Sequence, residues 1–133
     1  MKNKIIFVSG SFNVLHPGHI RLLRFAKDLK GKLIVGVISD KYAEKTAYIN
    51  QDLRLEGISS NSLVDEAIIV DEPIENFIKK LKPDIVVKGK EHEQKFNFEK
   101  DILEKFNGQL LFSSGENLLS SMDLIRKEIK NDS

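Results

Sequence analysis

No cysteine occurs in the chain, which excludes disulfides and thiolate metal sites. Long apolar runs are also missing, and no stretch reaches the roughly 18 to 20 consecutive apolar residues that a membrane span needs. Charge of one sign is missing as well. The 21 Lys and Arg against 20 Asp and Glu leave a formal net charge of +1, so no global field is available to hold nucleic acid or an anionic membrane. Any anion site must be local. Residues 1–10 are too short and too quickly polar for a signal peptide, so the expected location is cytoplasmic. Histidine is scarce, with three in 133 residues, yet two of these lie three apart in "GSFNVLHPGHIRLL", residues 10–23.

What is present is an alternation of short apolar runs with amphipathic segments. "IIFV" (5–8), "LIVGV" (33–37), "AIIV" (67–70), "DIVV" (84–87) and "QLLF" (109–112) lack polar alternation, as strands covered on both faces do. Between them, "PIENFIKKLKP" repeats apolar side chains at Ile74, Phe77, Ile78 and Leu81, a helical spacing. Pro73 suits its first turn and Pro83 ends it. Asn107-Gly108 reads as a turn into the last strand, and Ser120 with Asp123 as the capped start of a final helix. Five βα units imply an α/β fold with a doubly wound parallel sheet. With no repeat, low-complexity segment or linker, one domain is expected over residues 1–133.

In such sheets ligands bind beyond the carboxyl ends of the strands, where strand order reverses. Residues 10–19 form the first such turn. Gly10 lets backbone pass close to a ligand, Ser11 and Phe12 can present amide N–H groups, and a helix beginning near Pro17 or Gly18 aims its partial positive end outward. His16 and His19 share one helix face. Together these groups can clamp a phosphate chain and stabilise charge developing on a reacting phosphoryl group. Zinc is a poor fit, because only His92 remains as a nitrogen donor.

The same stretch resembles the G-[ST]-F-D-x-x-H-x-G-H-x-x-L-L signature of the HxGH nucleotidylyltransferases, in particular the small cytidylyltransferase-like group. The likeness extends through "SDKYAEK", "QDLRLEGISSNSLVDEAI", "PDIVVKGKEHE" and "LLSSMDLIRKEI". Two branches are similar. "QKFNFEKD" resembles glycerol-3-phosphate cytidylyltransferase, and "PDIVVKG" with "NGQLLF" resembles the nucleotidylyltransferase part of ADP-heptose synthase.

The resemblance implies a Rossmann-like doubly wound five-stranded parallel sheet of the nucleotidylyltransferase type. It also implies in-line attack by a substrate phosphate oxygen on the α-phosphorus of a nucleoside triphosphate, with pyrophosphate leaving. A phosphate monoester, with its second pKa near about 6, is already ionised at neutral pH and needs no activating triad. Catalysis then rests on positioning and charge stabilisation. His16 and His19 carry it in this reading, with Lys45 as a lysine of a closing loop or else a solvated surface residue. Arg54 either pairs with the substrate phosphate or bridges Asp52 or Glu56. Lys88 and Gly89 offer backbone groups to the base edge, Glu91 a carboxylate to an exocyclic amine, and His92 a ring for stacking. Ser120 and Ser121 offer hydroxyls and amides to phosphate or simply cap the helix. Mg²⁺ is expected on the triphosphate, and a phosphorylated sugar or polyol as acceptor, in a homodimer that binds neither nucleic acid nor membrane.

Departures from the pattern shift the branch. Asn13 stands where the family has Asp, Ser62 where it has a second helix arginine, and "SSGENLLSS" lacks the arginine of R-T-E-G-I-S-T. The loop tryptophan is absent too. These losses favour sugar phosphate over glycerol 3-phosphate, while "QKFNFEKD" tilts the nucleotide slightly to CTP and leaves adenylyl transfer as the alternative. A non-catalytic nucleotide-sensing module is the reading of another class. A class I tRNA synthetase fragment fails on size and on the missing K-M-S-K-S-like lysine loop.

Overall fold

The computed structural model describes residues 4–13, 15, 17–43, 47–89, 92–94 and 96–113. In chain order they form β1 (Ile5–Gly10), α1 (Pro17–Lys27), β2 (Lys32–Ile38), the single turn α2 (Asp40–Ala43), α3 (Gln51–Ser59), β3 (Glu66–Val70), α4 (Ile74–Leu81), β4 (Ile85–Gly89), α5 (Phe98–Glu104) and β5 (Gln109–Ser113). The strands make one sheet in the order β3-β2-β1-β4-β5, and every pairing is parallel. This is the five-stranded α/β architecture expected from the apolar runs.

Successive strand residues face opposite sides of a sheet, and both sides here are covered. Ile6, Val8, Leu33, Val35, Val37, Ile85 and Val87 pack with Leu23 and Ala26 of α1 and Ile58 of α3. Phe7, Ile34 and Val86 pack with Ile78 of α4 and Ile102 and Leu103 of α5. Two apolar layers explain why the strand sequences show no polar alternation. Gly36 belongs to the second layer, where a Cβ would lie 2.8 Å from Phe7 and from Val70. The sheet is tight enough there to require glycine.

Local chemistry fixes the element ends. The Asp84 carboxylate accepts from the Ile5 amide at 2.8 Å, and that of Asp65 from the Leu33 amide at 2.7 Å, so each holds the start of a neighbouring strand. Pro73 sits one residue before α4, in the cap position rather than inside the first turn. Lys82, at φ 51°, ends that helix with its amide donating to the Ile78 carbonyl, and Pro83 prevents its continuation. Asn107 adopts φ 65° before Gly108, the turn expected from that dipeptide. The final helix expected near Ser120 lies outside the described residues. Among those described, no helix is long and apolar enough to cross a membrane.

From β1 the chain builds outward to β2 and β3, then returns to the other side of β1 to add β4 and β5. The reversal therefore falls between β1 and β4, and their carboxyl ends diverge to leave a crevice.

Candidate active site

Beyond Gly10 the chain leaves the sheet through Ser11, Phe12 and Asn13. Phe12 takes φ 53°, the left-handed region that non-glycine residues rarely occupy. Its ring is buried among the residues of the α1 side of the core. There it meets the His19 ring in a T-shaped contact, with centroids 5.4 Å apart and planes at 65°. Gly10 eases this packing, since a Cβ at that position would lie 3.1 Å from two Phe12 ring atoms. The glycine expected to admit a ligand thus also leaves room for an aromatic ring folded beneath its own loop.

A pocket of about 210 Å³ opens at the crevice. Ser9, Gly10, Ser11 and Phe12 form one wall, His19 and Leu22 of α1 another, and Val87, Lys88, Gly89 and His92 the third. Helix α1 begins at Pro17 with no acidic residue in its first turn, so no carboxylate of its own offsets its positive end. Gly18 is the second residue of that helix. Among the described lining residues none is a carboxylate, and among the described residues no three His, Cys, Asp or Glu side chains gather to hold a metal ion. The setting suits a polyanion.

Lys88 contributes to the pocket wall, but its ammonium is engaged elsewhere. The β-strand alternation that sends Val87 toward α1 sends Val86 and Lys88 toward α5. There Lys88 Nζ donates to Asn97 Oδ1 at 2.7 Å and to Glu99 Oε2 at 3.0 Å. Asn97 Nδ2 donates onward to the His92 carbonyl at 2.9 Å. Glu99 is buried, and its Oε1 has no hydrogen-bond partner among the described residues. A strand residue, a helix residue and a loop residue thereby hold the segment that carries His92.

Arg54 is not placed as a phosphate partner, and the structure corrects that expectation. It is 2% exposed, and its guanidinium donates to the carbonyls of Ile49, Ser11 and Ile38, each at 2.7 Å, and to Asp40 Oδ1 at 2.6 Å. Neither Asp52 nor Glu56, the alternative partners, is engaged. The planar fork instead binds the turn after β1 to the end of β2 and the start of α3. Asn13 works beside it, its Oδ1 accepting from the Tyr48 amide at 2.7 Å and the Ile49 amide at 3.3 Å.

The structure thus brings Gly10, Ser11, Phe12, His19, Lys88 and Gly89 to one pocket, with Gly18 at the adjoining helix start. His16, Lys45, Glu91, Ser120 and Ser121 lie outside the described residues. Asn97, Glu99 and Asp40 escaped the sequence reading because their partners are distant along the chain. The spacing Val86 to Lys88 is the one signal that pointed Lys88 away from the first core layer.

A family model described as cytidylyltransferase-like matches residues 7–127. The bifunctional protein HldE of Campylobacter concisus is 34% identical across 98% of this chain and 29% of its own length. That of Campylobacter curvus is 42% identical across 71% of this chain and 21% of its own. The chain thus spans less than a third of the length of these relatives. Among solved structures, the lipopolysaccharide core biosynthesis protein of Thermoplasma volcanium superposes with a TM-score of 0.75 at 27% identity, covering 87% of this chain and 100% of that one. Pantoate-beta-alanine ligase of Francisella tularensis, at 19% identity and a TM-score of 0.57, covers 82% of this chain and 58% of its own, and shares the fold. The pocket at the β1–β4 reversal, the histidine on α1 that lines it and the match across the chain agree: the protein belongs to the cytidylyltransferase-like family of nucleotidyltransferases.

Proposed function

We propose that the chain transfers a nucleotidyl group from a nucleoside triphosphate to the phosphate of a sugar or polyol. The observation that carries this reading is the convergence of His19, the Gly10–Phe12 turn and the start of α1 on one pocket without a described carboxylate. An acceptor phosphate oxygen attacks the α-phosphorus, the bond to the β-phosphate breaks, and pyrophosphate leaves with the electron pair. His19 and, in this reading, His16 donate to the phosphate oxygens as charge develops on them. Lys45 adds a cation, and Ser120 and Ser121 add hydroxyls. The triphosphate enters as its Mg²⁺ complex, the ion held by phosphate oxygens.

Gly89 admits the base and Glu91 accepts its exocyclic amine, which selects cytosine or adenine over uracil and guanine. Between these two, the HldE relatives and the resemblance of "PDIVVKG" to ADP-heptose synthase support ATP, against the slight tilt of "QKFNFEKD" toward CTP. Mixing each of the four triphosphates with a panel of sugar phosphates and measuring pyrophosphate tests the reading. ATP or CTP with a sugar phosphate is expected to release it. Tight nucleotide binding with no pyrophosphate from any pair would instead identify a nucleotide sensor.

A further inference from the structure

Lys88, Gly89 and His92 close the β4 side of the pocket. Two side chains near the start of α5, neither of them among the described lining residues, are tied to this wall from behind. We propose that Asn97 and Glu99 are positioning residues for the nucleotide: acting from the α5 side of the sheet, they fix how far the β4 wall stands open. The inference rests on the reading of this pocket as a nucleotide site.

Gly89 is held by the sheet, in register with Ser113 of β5. His92 lies beyond the end of β4. What joins the two is a chain of hydrogen bonds, from Lys88 Nζ to Asn97 Oδ1 at 2.7 Å and from Asn97 Nδ2 to the His92 carbonyl at 2.9 Å. Glu99 Oε2 accepts from the same ammonium at 3.0 Å and so fixes where Nζ stands. The Lys88 and Glu99 side chains are only 22% and 7% exposed, and such surroundings strengthen the bonds between them. The separation of Gly89 from His92 is thus set from behind the wall. A flat, rigid base is sensitive to that separation, because a binding site is only as exact as the hydrogen bonds that lock its lining in place.

A purely structural use of these two residues would look different. Asn50, at the N-cap of α3 with extended backbone, accepts from the Leu53 amide through Oδ1. Asn97, at the N-cap of α5 and also extended, makes no such bond, although asparagine is among the best capping residues. Its carboxamide is committed to Lys88 and to His92 instead. Glu99, in the first turn of α5, could complement the positive end of that helix from the water. It is turned inward instead, 5% exposed, with Oε1 lacking a partner among the described residues. Both residues forgo a stabilising role in their own helix, as positions shaped by a site rather than by the fold do.

Asn97→Ser separates the two uses, because serine caps a helix about as well as asparagine and is too short to span Lys88 and His92. In calorimetric titration with ATP and with CTP, each with Mg²⁺, the triphosphate that binds the wild-type chain should show a Kd about tenfold higher in Asn97→Ser. The melting temperature of that variant without nucleotide should equal or exceed that of wild type. Glu99→Ala should also weaken binding about tenfold, whereas Glu99→Gln, which keeps an oxygen for the Lys88 ammonium, should stay within about threefold of wild type. Should Glu99→Ala fail to fold, Asn97→Ser decides alone. Wild-type affinity in Asn97→Ser overturns the inference. So does a loss of affinity that comes with a fall in melting temperature, which would mark plain damage to α5. Because binding rather than turnover is read, a chain that binds a triphosphate and releases no pyrophosphate loses the catalytic reading and leaves this inference standing. A wild-type chain that binds neither triphosphate overturns the nucleotide reading, and this inference with it, before any variant is made.

Discussion

Single residues at this site divide into those that face the pocket and those that hold it. His19 faces it, and His19→Ala is expected to lower turnover by about a hundredfold, the scale of losing one donor to a developing charge. Its melting temperature should stay close to wild type. Arg54 belongs to the second kind. Its removal leaves three carbonyls and a carboxylate without their donor, so Arg54→Ala should cost on the order of 3 kcal/mol in urea denaturation. A variant with full stability and a selective loss of acceptor binding would return Arg54 to phosphate recognition. Asp65 offers a pH test. Its hydrogen bond from Lys27, aided by the Leu33 amide, holds its carboxyl below the ordinary value near 3.8. Its contribution is therefore complete above that value and is lost as pH falls through the lower folded value. The stability gap between wild type and Asp65→Asn should be constant at neutral pH and shrink in acid below about pH 4. Of these three residues only His19 was legible in its place at the pocket. A histidine at a helix start beside a glycine-bearing turn announces itself locally, whereas an arginine in a helix gives no sign of which distant carbonyls surround it.

Among the elements, the connection from β4 to α5 shows how a pocket wall is held. Lys88 and Glu99 are mostly buried, and each is the other's charge partner. Removing one of such a pair typically costs about 3–5 kcal/mol, while replacing both with apolar groups of similar volume is often neutral. Lys88→Met and Glu99→Leu should therefore each destabilise strongly, and the double variant should regain most of the loss. A double-mutant cycle by urea denaturation measures the coupling, and simple additivity of the two losses would contradict it. The strands were the most legible elements, because double burial leaves continuous apolar runs at Ile5–Val8, Leu33–Val37 and Ile85–Val87. The short turn Asp40–Ala43 was not, since it lies in a polar stretch without periodicity. It is held by contacts to Arg54 and Gln51 across the chain.

For the whole molecule, the strand order β3-β2-β1-β4-β5 decides where the crevice opens, and five βα units in the sequence were enough to expect a parallel sheet with such a crevice. Binding there should stabilise the entire fold. At about 100 times its Kd the triphosphate would add about 2.7 kcal/mol, seen as a rise in melting temperature with ATP or CTP and not with UTP or GTP. Phe12 gives that coupling a further meaning. One face of the loop it belongs to shapes the pocket while its ring is a member of the hydrophobic core, so the site has no separate softness of its own. Heat inactivation should coincide with global unfolding rather than precede it. Over evolutionary time, too, a change that reshapes the nucleotide pocket through this residue must be compatible with the packing of α1 on the sheet, which ties the history of specificity to the history of stability.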